Sequence, residues 1–446
     1  MGTDQGKTSN VTALAILSEI LDTTAPALGH TTFRAPYTPA TIGAYAGRNI
    51  GPLFSPVRTT VMQGCHEKLN AKFEHVGQWM RAWYYPKTNE TMQQAVNREV
   101  KSARHSLGIL DASTLGKIDI KGPDSAEFLN RIYTNSWLKL APGKARYGLM
   151  LKEDGMVMDD GVTTHLKPNH FYMTTTTGGA ATVLDWLEEW HQTEWPDLNV
   201  YFTSVTEQWA VVSICGPNSR KLLAELSPSL DLSTESFPFM TMKEANVAGI
   251  EARIFRISFT GELSFEINVP RRHGVSLWTA LMDAGKKYDI TPYGTEAMHV
   301  LRAEKGFIIV GQETDGTVTP LDLGMDWIIS KAKPDFVGKR ALSRRDIIKD
   351  DRKQLVGLLP EDENEIIPEG SQVVETILPS PPMKMIGHVT SSYYSPNCKR
   401  SIAMALIKGG RARIGQTLHI PLKNKNVRVL VTNTQFFDAD GSRADG

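Results

Sequence analysis

The chain has 446 residues, in which 49 lysines and arginines balance 49 aspartates and glutamates, so no global field recruits nucleic acid or an anionic membrane and any partner must be recognised locally. Hydrophobic residues at 41% and charged residues at 22% are ordinary for a globular chain, long enough for two to four domains of roughly 150 residues. Three scattered cysteines, Cys65, Cys215 and Cys398, disfavour a disulfide scaffold or thiolate metal site and fit a reducing cytoplasm, while no apolar run reaches the roughly 18 residues that span a bilayer and no secretory leader opens the chain.

Residues 1–56 read as a tail or linker: one short helix over 11–21, then a Pro/Thr/Gly-rich stretch. Gly2 to Thr8 imitates a phosphate loop, but three residues separate its glycines, where the motif needs four and a preceding strand. Trp79, Trp83, Tyr84 and Tyr85 crowd one short segment, either covering a core edge or walling a pocket for a flat ligand. A helix is expected over 90–107, with Thr91 as its cap.

An internal echo follows. Lys117-Ile118-Asp119-Ile120-Lys121 runs into Gly122-Pro123-Asp124-Ser125 and an amphipathic helix, and Val211-Val212-Ser213-Ile214-Cys215 runs into Gly216-Pro217-Asn218-Ser219 and another. In each, glycine makes the tight exit from the strand, and proline falls where a helix's first turn tolerates a missing N–H. Two copies predict two similar α+β units.

Between the copies, Tyr147-Gly148-Leu149-Met150-Leu151 turns at Asp154-Gly155 and returns as Met156-Val157-Met158-Asp159-Asp160. This is a β-hairpin whose returning strand carries adjacent carboxylates. Neighbouring strand residues point to opposite faces, so one aspartate of the pair faces inward, where a carboxylate is costly unless paired or working. A threonine-rich strand over 170–176 and a helix over 180–191 come next.

After the second copy, the strand over 251–259 turns at Thr260-Gly261-Glu262. The returning strand places Leu263, Phe265, Ile267 and Val269 on one face and Ser264, Glu266 and Asn268 on the other. A helix over 294–305 carries Arg302 and Glu304 in its last turn, and a short strand is expected over 321–329. Residues 331–353 hold nine basic and four acidic side chains, the pattern of a solvated helical face. Short apolar strands over 373–378, 384–390, 402–407 and 427–431 predict a C-terminal β-barrel or sandwich.

With these residues in view, the chain resembles the glycine-cleavage T-protein (aminomethyltransferase) superfamily. The resemblance rests on Gly108-Ile109-Leu110-Asp111-Ala112-Ser113, Glu153-Asp154-Gly155-Met156-Val157-Met158-Asp159-Asp160, Phe259-Thr260-Gly261-Glu262 with Glu266, Leu301-Arg302-Ala303-Glu304, and Val389-Thr390-Ser391-Ser392 before Ile402-Ala403-Met404. Phe128-Leu129-Asn130-Arg131-Ile132-Tyr133-Thr134-Asn135 and Gly311-Gln312-Glu313-Thr314-Asp315-Gly316-Thr317 look closer still to the C-terminal, folate-binding half of the α subunits of heterotetrameric sarcosine oxidases.

The resemblance implies an α+β chain of three domains around a central folate pocket. Residues 1–56 would be a linker that ends a nucleotide-binding half, 57–335 the folate-binding aminomethyltransferase domains, and 336–446 the C-terminal β-barrel. It implies tetrahydrofolate as acceptor of the one-carbon unit (imine or formaldehyde) released in sarcosine oxidation, giving methylene-tetrahydrofolate, with flavin-containing sarcosine oxidase subunits as partners. Asp160 matches the family's catalytic carboxylate, and Glu266, Thr176, Phe259 and Arg302 its folate-binding positions. Two positions depart from the family: Thr176 stands for an asparagine, and Met298 for an arginine one turn before Arg302. The alternatives are a non-catalytic folate-binding or assembly module and a folate-dependent demethylase of the same superfamily. No G-x-G-x-x-G follows an early strand, so no NAD or FAD is expected on this chain alone, and no paired histidines mark a metal site.

Overall fold

The computed structural model describes residues 11–24, 27 and 57–445, which belong to two compact units, 1–58 and 59–446. The first contributes the helix Val11–Ile20; the glycine-lysine segment Gly2 to Thr8 and most of the expected linker lie outside the described residues. The second holds two antiparallel-dominated sheets, a two-stranded hairpin and a closed barrel.

The two copies of the strand, G-P-x-S and helix pattern are each built into a separate sheet. Strand Gly116–Lys121 pairs with His170–Thr175 and Tyr201–Ser204 in a five-stranded sheet that also holds Ala145–Leu151 and Val157–Lys167. Strand Trp209–Cys215 sits between Ser264–Pro270 and Gly108–Asp111 in a six-stranded sheet. Each strand exits through a glycine at positive φ, Gly122 at 130° and Gly216 at 109°. A Cβ would meet Asn199 O at 2.1 Å in the first case and Ala103 O at 2.7 Å in the second, so close backbone approach demands glycine at both positions. The helices that follow, Ser125–Ile132 and Ser219–Leu226, bury Phe128, Leu129 and Ile132 in one and Leu222 and Leu223 in the other.

Alternation in Ser264–Pro270 is as the pattern predicts. Phe265, Ile267 and Val269 are fully buried in the core under the six-stranded sheet, and Glu266 is turned to the other face. The helix Met92–His105 starts at Thr91, whose side chain accepts from Gln94 N while Gln94 returns the bond to Thr91 N, a reciprocal cap. The C-terminal strands close a six-stranded barrel in which Lys353–Pro360 pairs with both Arg400–Lys408 and Asn426–Thr432. Two of its strands, Lys353–Pro360 and Thr417–Pro421, carry too little alternation beside charge and proline to stand out in the sequence.

Two expectations fail. Residues 321–329 form turns and the short 3-10 helix Asp326–Ile328 in place of a strand. Asp322 Oδ2 accepts from Thr319 N and Oγ1, each at 2.8 Å, a local alternative that competes with a sheet ladder. Residues 331–352 are likewise turns and irregular chain with one 3-10 helix, Ala341–Ser343, and Lys333 is buried with its ammonium on the Tyr133 and Asn135 carbonyls. Among the described residues, no helix is long and apolar enough to cross a membrane.

Candidate functional site

The hairpin Ala145–Leu151 and Val157–Lys167 turns through Gly155, at φ 85°, with Gly155 N donating to Lys152 O over 2.9 Å. Met150 pairs with Asp159 and Leu151 with Val157, so Met158 is an extra residue, a bulge that re-aims the strand at the two aspartates. Asp159 is 2% exposed. One of its oxygens accepts from Asp160 N at 2.8 Å and the other from Thr176 Oγ1 at 3.2 Å. Asp160 points to the opposite face and accepts from the Tyr147 hydroxyl at 2.5 Å.

Burial raises both carboxyls. Asp160 reaches about 6, held down by its bond from Tyr147, and Asp159 reaches about 7 because the Asp160 charge adds to its desolvation. Burial thus brings both carboxyls towards the neutral range, in which a carboxylate can act as a base.

Two and four residues beyond Asp160, on the same strand face, Val162 and Thr164 line a cleft whose other walls include Lys117, Tyr172, Phe255 and Glu266. The space between these walls, open solvent included, is about 300 Å³. Tyr172 and Phe255 stack with centroids 5.7 Å apart, giving an aromatic wall, and the Tyr172 hydroxyl donates to Asn268 Oδ1 at 3.0 Å. Glu266 projects from the face opposite the core residues. Burial pushes its carboxyl up to about 7 against the pull of Lys117. The Lys117 ammonium sits on the carbonyls of Ser113 and Leu115, 2.7 and 2.8 Å away. Among the described residues no hydrogen bond engages the Glu266 carboxylate, which leaves two oxygens free for a paired donor edge.

The other sequence-derived candidates are placed differently. Thr176 is beside the aspartate pair through Asp159, and its hydroxyl also accepts from Gly179 N at 3.1 Å. Phe259 is 37% exposed, with its ring 6.4 Å from that of Phe307, and is not among the side chains that line the cleft. Arg302 is fully buried and does not line the cleft either: its guanidinium pairs with Glu313 at 2.7 Å and bonds Ser391 Oγ at 2.7 Å. Glu304 and Glu262, in the same family signatures, share Arg104 at 2.8 and 2.7 Å. These motif residues are joints between the helix Thr295–Glu304, its neighbours and the barrel strand Met385–Ser395.

The sequence reading missed Tyr147, Lys117 and Tyr172. Tyr147 had a legible signal, since strand pairing puts it one diagonal step from Asp160; Lys117 stood in the sequence only as the first residue of the strand that runs into Gly122-Pro123. Among the described residues no cluster of three or more His, Cys, Asp or Glu is arranged to hold a metal.

Residues 62–333 match the family model described as the GCVT N-terminal domain, residues 353–438 the glycine cleavage T-protein C-terminal barrel domain, and residues 1–48 the sarcosine oxidase A3 domain. The chain is 55% identical over 447 residues to sarcosine oxidase subunit alpha of Corynebacterium sp. (strain U-96), covering 99% of this chain and 46% of that protein. It is 43% identical over 448 residues to sarcosine oxidase subunit alpha of Rhizobium meliloti (strain 1021), covering 99% and 45%. The chain thus spans about half the length of these curated relatives. In fold, it superposes with TM-score 0.75 at 24% identity on glycine cleavage system aminomethyltransferase T from Bartonella henselae, covering 86% of this chain and 99% of that one.

Proposed function

The chain belongs to the glycine cleavage T-protein (aminomethyltransferase) family, and on that premise we propose that it passes a one-carbon unit to tetrahydrofolate, with Asp160 as the base and Glu266 as the pterin anchor. The observation that carries this reading is Asp160 itself, ionisable near neutral pH, bonded by Tyr147, and carried on the strand face that continues into the Glu266 cleft.

The residues suit the ligand. An amino-pyrimidine edge presents parallel N–H donors, and a carboxylate without protein partners, held on a stiff strand, answers them with two acceptors. The Tyr172 and Phe255 wall offers the apolar face on which a flat ring rests. Asp160 accepts the proton released as an amine nitrogen attacks the one-carbon electrophile, and its negative charge favours the cationic form of that donor. The tetrahydrofolate supplies the nucleophilic nitrogen when bound.

For the donor, we propose the imine formed when sarcosine is oxidised, with flavin-containing subunits supplying it in a cytoplasmic complex; the sarcosine oxidase relatives support this. Residues 57–335 would hold the folate chemistry and 336–446 would brace it.

The test is titration of the full chain with tetrahydrofolate, followed by turnover with an imine-generating amine oxidase. Binding by both wild type and Asp160→Asn, with methylene-tetrahydrofolate formed only by wild type, is the expected result. Undiminished turnover by the variant refutes the role of Asp160. A folded wild type that binds without exceeding the uncatalysed rate refutes the transferase reading.

A further inference from the structure

Next to the Glu266 cleft lies a second, cationic one. Thr114 lines it and Leu115 lines the first, so a single backbone step separates them. Thr114 Oγ1 also lies 3.1 Å from Thr177 Oγ1, one residue from the threonine that holds Asp159. The remaining polar walls are Thr60, His66, Arg81, Tyr85 and Asp111.

All but one of these groups are already engaged. Asp111 Oδ2 accepts from Thr60 Oγ1 at 2.6 Å and pairs with His66 Nε2 at 3.0 Å, its Oδ1 accepts from Ser113 N at 2.9 Å, and His66 Nδ1 lies 3.0 Å from the Tyr85 hydroxyl. The exception is Arg81, carried by the strand Trp79–Tyr84. Among the described residues its guanidinium makes no ion pair and no hydrogen bond. Burial lowers its pKa even though Asp111 and Glu74 act in the opposite sense. Arg81 is half-buried, and a guanidinium without a protein acceptor offers a planar anion two parallel donors.

We propose that the Arg81 cleft is a carboxylate-binding subsite. Its use in catalysis rests on the function proposed above, which offers two carboxylates: that of the amino-acid donor, a glycine derivative, and that of the glutamyl tail of the folate. The second is a candidate because the strand that carries Arg81 packs against the helix Thr295–Glu304, on which the resemblance implies an arginine. Met298 occupies that position, and the charge of Arg81 reaches the next residue, His299, where it joins burial and Arg302 in depressing the imidazole.

The experiment compares wild type, Arg81→Met and Arg81→Lys of the full chain, using tetrahydrofolate, 6-methyltetrahydropterin (the reduced pteridine without the aminobenzoate or glutamate, and so without a carboxylate) and glycine as probes, with thermal unfolding to confirm folding. Arg81→Met should weaken one carboxylate-bearing probe by at least about tenfold, the scale of a lost charge-assisted bond, and leave 6-methyltetrahydropterin unchanged; Arg81→Lys should recover part of the loss. A loss seen only with tetrahydrofolate assigns the glutamyl tail, and a loss seen with glycine assigns the donor. The proposal is overturned if Arg81→Met leaves tetrahydrofolate and glycine unchanged, if it weakens 6-methyltetrahydropterin equally, or if wild type binds neither carboxylate probe. A wild type that binds glycine but no pteridine refutes the folate reading while Arg81 is still decided by the glycine comparison.

Discussion

The Tyr147 hydroxyl donates to Asp160 Oδ2 across 2.5 Å, from the strand that pairs Leu149 with Asp160 and Tyr147 with Val162. The bond sets the proton affinity of the carboxylate. Desolvation alone would drive Asp160 higher, and the phenol holds it at about 6 by stabilising the charged form. Asp160 is therefore ionised at neutral pH yet basic enough to take a proton.

Removing the phenol should move the working range. Tyr147→Phe deletes the interaction that favours the carboxylate, so the Asp160 pKa rises and the acid limb of the rate profile, expected at about pH 6 in wild type, shifts to higher pH. The plateau rate should fall far less than in Asp160→Asn, which loses roughly 10²- to 10⁴-fold. Methylene-tetrahydrofolate formation followed across the acid limb distinguishes the two; an unshifted limb in Tyr147→Phe removes the phenol from the account.

Asp159 has the opposite task. Its folded pKa of about 7 stands above the ordinary 3.8, so its contribution to stability is fully present below about pH 4 and is lost as pH rises through 7. Asp159→Asn keeps an acceptor for Asp160 N and a partner for Thr176 but carries no charge. Its unfolding free energy should exceed that of wild type at pH 8 by an amount on the order of a few kcal/mol at most, and the two should converge at pH 4. Denaturant curves at both pH values check this, and a constant offset would count against it.

How far the sequence exposed this site depended on period. Strand alternation alone placed Glu266 opposite Phe265 and Ile267, and separated Asp159 from Asp160, because a period of two is rigid once a face is buried. It could not say which aspartate faced the cleft, since the bulge at Met158 leaves no composition mark. Lys117 was invisible because the carbonyls it binds belong to residues 113, 115 and 206, a convergence set by a loop rather than a motif. Residues 321–329 misled for a related reason: apolar content suggested a strand, while Asp322 satisfied the backbone locally.

Glu266 gives a prediction in binding. Its carboxyl titrates at about 7 because burial outweighs Lys117, and only the ionised form offers two acceptors to a donor pair. Affinity for tetrahydropteroate should therefore fall as pH drops below about 7. Glu266→Gln, which replaces one acceptor by a donor, should weaken binding about tenfold or more at pH 8 and flatten the dependence. Calorimetric titration at pH 6 and pH 8 provides the measurement; equal affinity of wild type at both would remove Glu266 as the anchor.

Arg302 is where family signature and geometry pull apart, and its variants separate a ligand contact from a joint. Its guanidinium binds Glu313, Ser391 Oγ and the Phe307 carbonyl, and the ion pair is 0% exposed on both sides. Arg302→Met leaves Glu313 buried with only neutral donors, Ile309 N and Thr390 Oγ1 at 2.8 and 3.1 Å and the Ser391 hydroxyl. Breaking one side of a buried pair costs about 3–5 kcal/mol. Arg302→Met with Glu313→Gln removes the stranded charge and should restore part of that loss. Throughout the series, tetrahydropteroate affinity of the folded protein should stay near wild type, because the guanidinium does not reach the cleft. A variant that kept its stability and lost the ligand would instead make Arg302 a binding residue, as the resemblance alone implies. Equilibrium unfolding and ligand titration on the same samples decide between the two roles.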